Sequence, residues 1–168
     1  MSAVLSGIIG GSPVFSGNLL SVYMGTSQLI NAGNGTSNII YSNLITASSA
    51  SSCDLSTGIF TLNYTGKYLV NLKIQLSTNG SGYVFSPPLS IFLGLNGLSN
   101  PIGGRQFFYF FGSNSNSAQG TLNWCHIIQT STAAQTFNFQ LSQDNIFGSE
   151  TYPAVAPGSR STILYLGM

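Results

Sequence analysis

Gly66-Lys67-Tyr68-Leu69-Val70-Asn71-Leu72-Lys73-Ile74-Gln75-Leu76-Ser77 is the stretch on which the fold is decided. Tyr68, Val70, Leu72, Ile74 and Leu76 alternate with Leu69, Asn71, Lys73 and Gln75. Successive side chains of an extended strand point to opposite faces, so a period of two puts the first set on one face. Both lysines, Lys67 and Lys73, fall on the other. An antiparallel strand with one face on a core and the other toward water needs this pattern.

The rest of the chain reads the same way. Short apolar runs separated by Gly, Asn, Ser and Pro predict strands over 14–23, 38–45, 58–64, 89–95, 105–111, 121–130, 136–141 and 161–168. Asn96-Gly97 is a strong turn signal. Residues 48–52 and 113–117 read as loops, and 144–158 as a long polar connection holding Pro153 and Pro157. Helical periodicity and internal repeats are lacking. About eight to ten strands at this spacing predict an all-β jelly-roll sandwich. Residues 1–12 read as an N-terminal arm and 13–168 as the jelly-roll domain.

Composition narrows the function. Hydrophobic residues are 43% of the 168 and aromatics 12%, enough for a packed core. Charged residues are only 4%, namely Asp54, Lys67, Lys73, Arg105, Asp144, Glu150 and Arg160. A surface of hydroxyls and amides has weak long-range fields, so no nucleic-acid partner is expected. It also lacks the repulsion that keeps copies apart. The composition suits close packing in an assembly; a secreted protein kept soluble by glycans is the competing reading. Met1–Phe15 lacks the basic segment of a secretory signal and is broken by Gly10, Gly11 and Pro13. No apolar run reaches 18 residues, so no membrane insertion is expected. An eight-stranded outer-membrane barrel fits the length but not the alternation. Asn34, Asn63 and Asn79 stand in glycan-acceptor triplets, which matter only in a secretory pathway.

Residues that could carry chemistry are few. Cys53 and Cys125 allow one bridge, with two buried thiols as the simpler reading. His126 is the sole histidine, so metal spacing is absent and no metal or cofactor is expected. Cys125 and His126 are adjacent, so a strand points them to opposite faces and spoils a Cys–His pair. Cys53 remains a remote partner for His126. Asp54 reads as a turn residue before Thr57-Gly58, Asp144 and Glu150 as solvated loop carboxylates, and Trp124 as core. Gly103-Gly104-Arg105 is too short for a phosphate loop. The chain is read as not an enzyme, with no catalytic residues.

Some strands are apolar on both faces. Alternate members of the 107–111 aromatic run cannot all enter one core, and Ile163 and Tyr165 face opposite to Leu164 and Leu166. A second cover is needed. Phe107, Tyr109, Phe111, Ile163 and Tyr165 are the expected contacts to a sister subunit; the N-terminal arm is the alternative cover.

Asp54-Leu55-Ser56-Thr57-Gly58-Ile59-Phe60, followed by Gly66-Lys67-Tyr68, resembles the D-x-x-T-G-x-F-x(5)-G-x-Y pattern of the complement-q globular head. That family is part of the tumour-necrosis-factor superfamily. Asp54, Thr57, Gly58, Phe60, Gly66 and Tyr68 carry the motif. Residues 13–16, 39–41, 93–97 and 161–166 are similar to flanking strands of the family. The resemblance implies a ten-stranded jelly-roll trimer with binding loops at its ends, and no catalysis. One departure is Ser131-Thr132-Ala133-Ala134, where the family often has a Gly-Asp pair. Another is the scarcity of carboxylates and bases from which relatives build calcium sites and charged ligand patches.

Two functions follow as expectations. One is a structural, self-assembling trimer, a minor capsid, vertex or surface-spike component of a virus particle, located in the virion and partnered by copies of itself and other capsid or surface proteins. The other is a secreted, extracellular recognition module of complement-q type, binding carbohydrate or protein.

Overall fold

A computed structural model describes residues 17–29, 36–78, 89–96, 106–110, 119–144 and 153–168. The long alternating stretch forms the centre of the first sheet. Its strand, β7 (Gly66–Thr78), sits among β1 (Leu19–Tyr23), β2 (Gln28–Leu29), β4 (Asn43–Thr46), β10 (Gln119–Thr130), β12 (Pro153–Val155) and β13 (Arg160–Gly167). The second sheet holds β3 (Thr36–Asn38), β5 (Ser51–Asp54), β6 (Ile59–Leu62), β8 (Leu89–Asn96), β9 (Gln106–Phe110) and β11 (Gln135–Asp144).

Every pairing is antiparallel among the described residues. β10 covers one side of β7 from Gly66 to Ser77, while β13 and then β12 share the other. The join between β12 and β13 is bridged from β7: the Ala156 amide donates to the Gln75 carbonyl at 2.7 Å, and the Gln75 amide donates to Ser159 Oγ at 2.9 Å. β1 and β2 flank β13 and β12 in turn. The first sheet thus runs β10, β7, β13 with β12, β1 with β2, and β4. The second runs β5, β6 with β3, β11, β8 and β9.

The core lies between the sheets. Tyr68, Val70, Leu72, Ile74 and Leu76 are buried, while Lys67, Asn71 and Lys73 are exposed, as the alternation requires. They meet Phe60, Phe137 and Phe139 of the second sheet, with Phe60 stacked on Phe137 at 5.2 Å and Trp124 edge-on to Phe139 at 5.7 Å.

Several expected boundaries change. The strand predicted over 38–45 is two: β3 pairs with β11 and β4 with β1, and the chain crosses between sheets at 39–42, where Ile39 and Tyr41 are both buried. The serine-rich stretch read as a loop contributes β5, and the polar connection contributes β12, whose proline stands first, where a missing N–H is tolerated. Asp144 is the last residue of β11 rather than part of a loop. Gly97, Arg105 and Glu150 lie outside the described residues, as do the arm (1–12) and residues 13–16.

Candidate assembly face

The motif residues build scaffold. Asp54 Oδ1 accepts hydrogen bonds from the Ser56 amide at 2.9 Å and the Ser56 hydroxyl at 2.7 Å, which hold its carboxyl below the usual range. The Gly58 amide closes the turn onto the Asp54 carbonyl at 2.8 Å. Gly58 has φ +71°, and a Cβ there would lie 2.0 Å from the Ile39 carbonyl oxygen. Gly66 has φ +134°, and its Cβ would lie 2.5 Å from the Gly167 carbonyl oxygen. Both positions therefore require glycine. Phe60 anchors the aromatic core. The Tyr68 hydroxyl donates to the Tyr64 carbonyl at 2.8 Å and accepts from the Tyr64 amide at 2.9 Å, so a buried ring ties down the loop before its own strand.

The candidate reactive residues stand on strands of different sheets, Cys53 on β5 and Cys125 and His126 on β10. Cys53 and Cys125 are both free thiols. Burial, and then the charge of Asp54, push the Cys53 thiol up to about 12. Cys125 is exposed on the outer side of β10, which corrects the expectation of two buried thiols. His126 points to the other side, beside the Trp124 ring at 5.7 Å. Among the described residues, no group of three His, Cys, Asp or Glu could hold a metal ion. Asn63 Nδ2 donates to the Ser49 carbonyl at 2.9 Å; Asn34 and Asn79 lie outside the described residues. No described helix is long and apolar enough to cross a membrane.

The outer face of the first sheet is different in kind. Register places Ile127 beside Leu69, Leu69 beside Leu164, and Leu164 beside Leu19, a row across β10, β7, β13 and β1. Ile127 is 50% exposed and the three leucines are half-buried. Leu166, at the irregular end of β13, is 49% exposed. The next row is small and polar: Cys125, Asn71, Thr162 and Ser21. The third is Asn123, Lys73, Arg160 and Tyr23.

This corrects the choice of contact residues on β13. Ile163 is fully buried in the subunit's own core, so no second copy can touch it. Tyr165 packs inward on Tyr68 at 4.9 Å and donates its hydroxyl to the Thr65 carbonyl at 2.9 Å. The outward side belongs to Leu164 and Leu166. Phe107 and Tyr109 fall on β9, but the described residues include only their backbone; Phe111 lies outside them.

No family model and no curated protein matches the sequence. Solved structures do. The globular domain of zebrafish complement 1qA protein superposes with a TM-score of 0.54 at 13% identity, covering 90% of this chain and 98% of that one. The chain has a complement-q-like, tumour-necrosis-factor-like jelly-roll fold. Murine APRIL at pH 8.0 gives a TM-score of 0.52 at 10% identity, covering 89% of this chain and 98% of its own. At such identities the likeness is one of fold. Within this complement-q-like jelly roll, Asp54, Gly58, Phe60, Gly66 and Tyr68 hold turns and core together, and among the described residues the outer face of the first sheet carries a contiguous row of apolar side chains.

Proposed function

We propose that the chain is a structural, self-assembling jelly-roll subunit, a homotrimer in which the apolar row on the outer face of the first sheet is turned toward sister copies. The observation that carries this reading is the row Ile127, Leu69, Leu164 and Leu19. Contiguous apolar surface marks an interaction site, whereas scattered single residues do not. Burying a large apolar side chain from full exposure is worth roughly 1.5–3 kcal/mol. These are already half-buried, so about 1 kcal/mol remains for each. Four per subunit, with little charge repulsion to oppose them, support a lasting association. The number three rests on the resemblance to complement-q heads.

The role is structural rather than enzymatic, and its setting is a virus particle, as a shell, vertex or spike component beside other capsid or surface proteins. An uncharged hydroxyl and amide surface suits dense packing, and jelly rolls are common in capsids, though that is an analogy of fold. Purified particles, fractionated on a density gradient and probed for this chain, test the setting. Recovery with intact particles supports it; recovery solely as free protein in the medium contradicts it.

A second reading, a secreted trimeric recognition module, is favoured by the likeness to the complement 1qA globular domain. Intact mass of native material separates the two: a glycan on Asn63 would place the chain in a secretory pathway.

A further inference from the structure

The third row of the outer face holds two of the chain's four basic residues side by side. Arg160 on β13 is the register partner of Lys73 on β7. Partners on adjacent strands stand about 5 Å apart at their α-carbons. Like charges directly opposite destabilise a sheet. Among the described residues neither side chain has an ion-pair or hydrogen-bond partner. Asp54 belongs to the other sheet. In a chain with so few charges, two adjacent cations with no partner among the described residues stand out on this face.

The pair also has a shape around it. Lys73, Arg160, Tyr23, Ile45 and Gly158 line an open depression of about 320 Å³. Asn123 stands next to Lys73 in the same row. Gly158, at φ +90°, puts no side chain into it. The wall therefore combines a guanidinium fork, an ammonium and a phenol, all able to donate, with the apolar flanks of Ile45 and the Tyr23 ring. An Arg fork binds two oxygens of one anion while a Lys acts as a point charge beside it.

We propose that Tyr23, Lys73 and Arg160 form an oxyanion site for a phosphate or sulfate group. The depression is wider than a free ion needs, so the group is carried on a sugar-sized body that rests on Tyr23 and Ile45. The site lies four residues along β7 from the apolar row, roughly 13 Å away. It stands whether or not that row is covered by sister copies.

Calorimetric titration of the full chain with inorganic phosphate, glucose 6-phosphate and glucose tests this, with molar mass measured on the same samples. Glucose 6-phosphate is expected to bind, inorganic phosphate more weakly, and glucose not at all. K73Q and R160Q should each weaken binding by about tenfold or more. K67Q, which removes a charge from the other end of β7, should leave it unchanged. Binding of inorganic phosphate alone would keep the oxyanion site and overturn the sugar-sized body. No saturable heat from either anion, or equal binding by wild type and R160Q, would overturn the site. Because K73Q and R160Q leave the apolar row intact, loss of binding at unchanged molar mass separates the site from the assembly.

Discussion

Leu69 of β7 lies opposite Leu164 of β13 on the outer side of the sandwich, and both are half-buried. Their sequence neighbours Val70 and Ile163 form the next pair in the same register, on the inner side, and are fully buried. One strand pairing thus carries two apolar contacts with separate consequences. The inner one belongs to folding, and the outer one, on the proposed reading, to assembly.

Substitutions at adjacent residues of β13 should therefore separate the two. Ile163→Ala opens a core cavity and should cost about 2–5 kcal/mol in a denaturant titration. Leu164→Asp leaves the core intact but puts a charge in the apolar row. It should yield folded chains of lower molar mass in light scattering. A Leu164→Asp protein of unchanged mass would remove that row from the interface.

Cysteine labelling gives an independent reading of the same face. Cys125 is exposed on β10, two residues before Ile127, while Cys53 is shielded. A thiol reagent under native conditions should modify Cys125 and spare Cys53. Modification of Cys125 should be slower in the assembled protein than in Leu164→Asp. Equal rates, followed by peptide mass spectrometry, would argue that assembly leaves β10 uncovered.

The turn between β10 and β11 holds a correctable strain. Ala134 has φ +57°, the left-handed region that costs an L-residue about 1–2 kcal/mol. Ala134→Gly should therefore raise stability, by up to about 1 kcal/mol once the glycine's extra freedom in the unfolded chain is counted. Gly66→Val runs the other way. It adds a branched side chain where even a Cβ would meet the Gly167 carbonyl, and should abolish soluble folded protein. Thermal melts of the first and a solubility assay of the second check both.

Alkaline pH should destabilise the fold through Cys53. Burial raises its pKa from 9.0 to about 12, so the native state keeps it neutral while the unfolded chain ionises. The stabilisation is complete below about pH 9 and is lost as pH rises from there toward 12. Tyr41, raised well above its usual range by burial, acts in the same direction at higher pH. Cys53→Ala should flatten the first part of the decline in midpoint against pH.

How much of this the sequence carries depends on the contrast between faces. β7 was legible because its outward positions include Lys67, Asn71 and Lys73, so the period of two stands out. β13 offers no such contrast: Ile163, Leu164, Tyr165 and Leu166 are all apolar, and only pairing with β7 shows which side meets the core. β5 was hidden because Ser51 and Ser52 carry a turn-like composition, yet β6 pairs with them and Ser51 is buried. The Lys73–Arg160 juxtaposition joins residues far apart in the chain, and nothing local signals it. Gly58 and Gly66, in contrast, announced their turns through the motif that holds them.

The most direct test is the molar mass of the purified wild-type chain by light scattering at micromolar concentration. Three copies of a 17.7 kDa chain give about 53 kDa, the value expected if sister subunits cover Leu69 and Leu164. A stable species of 17.7 kDa, folded and unchanged on concentration, would contradict the account.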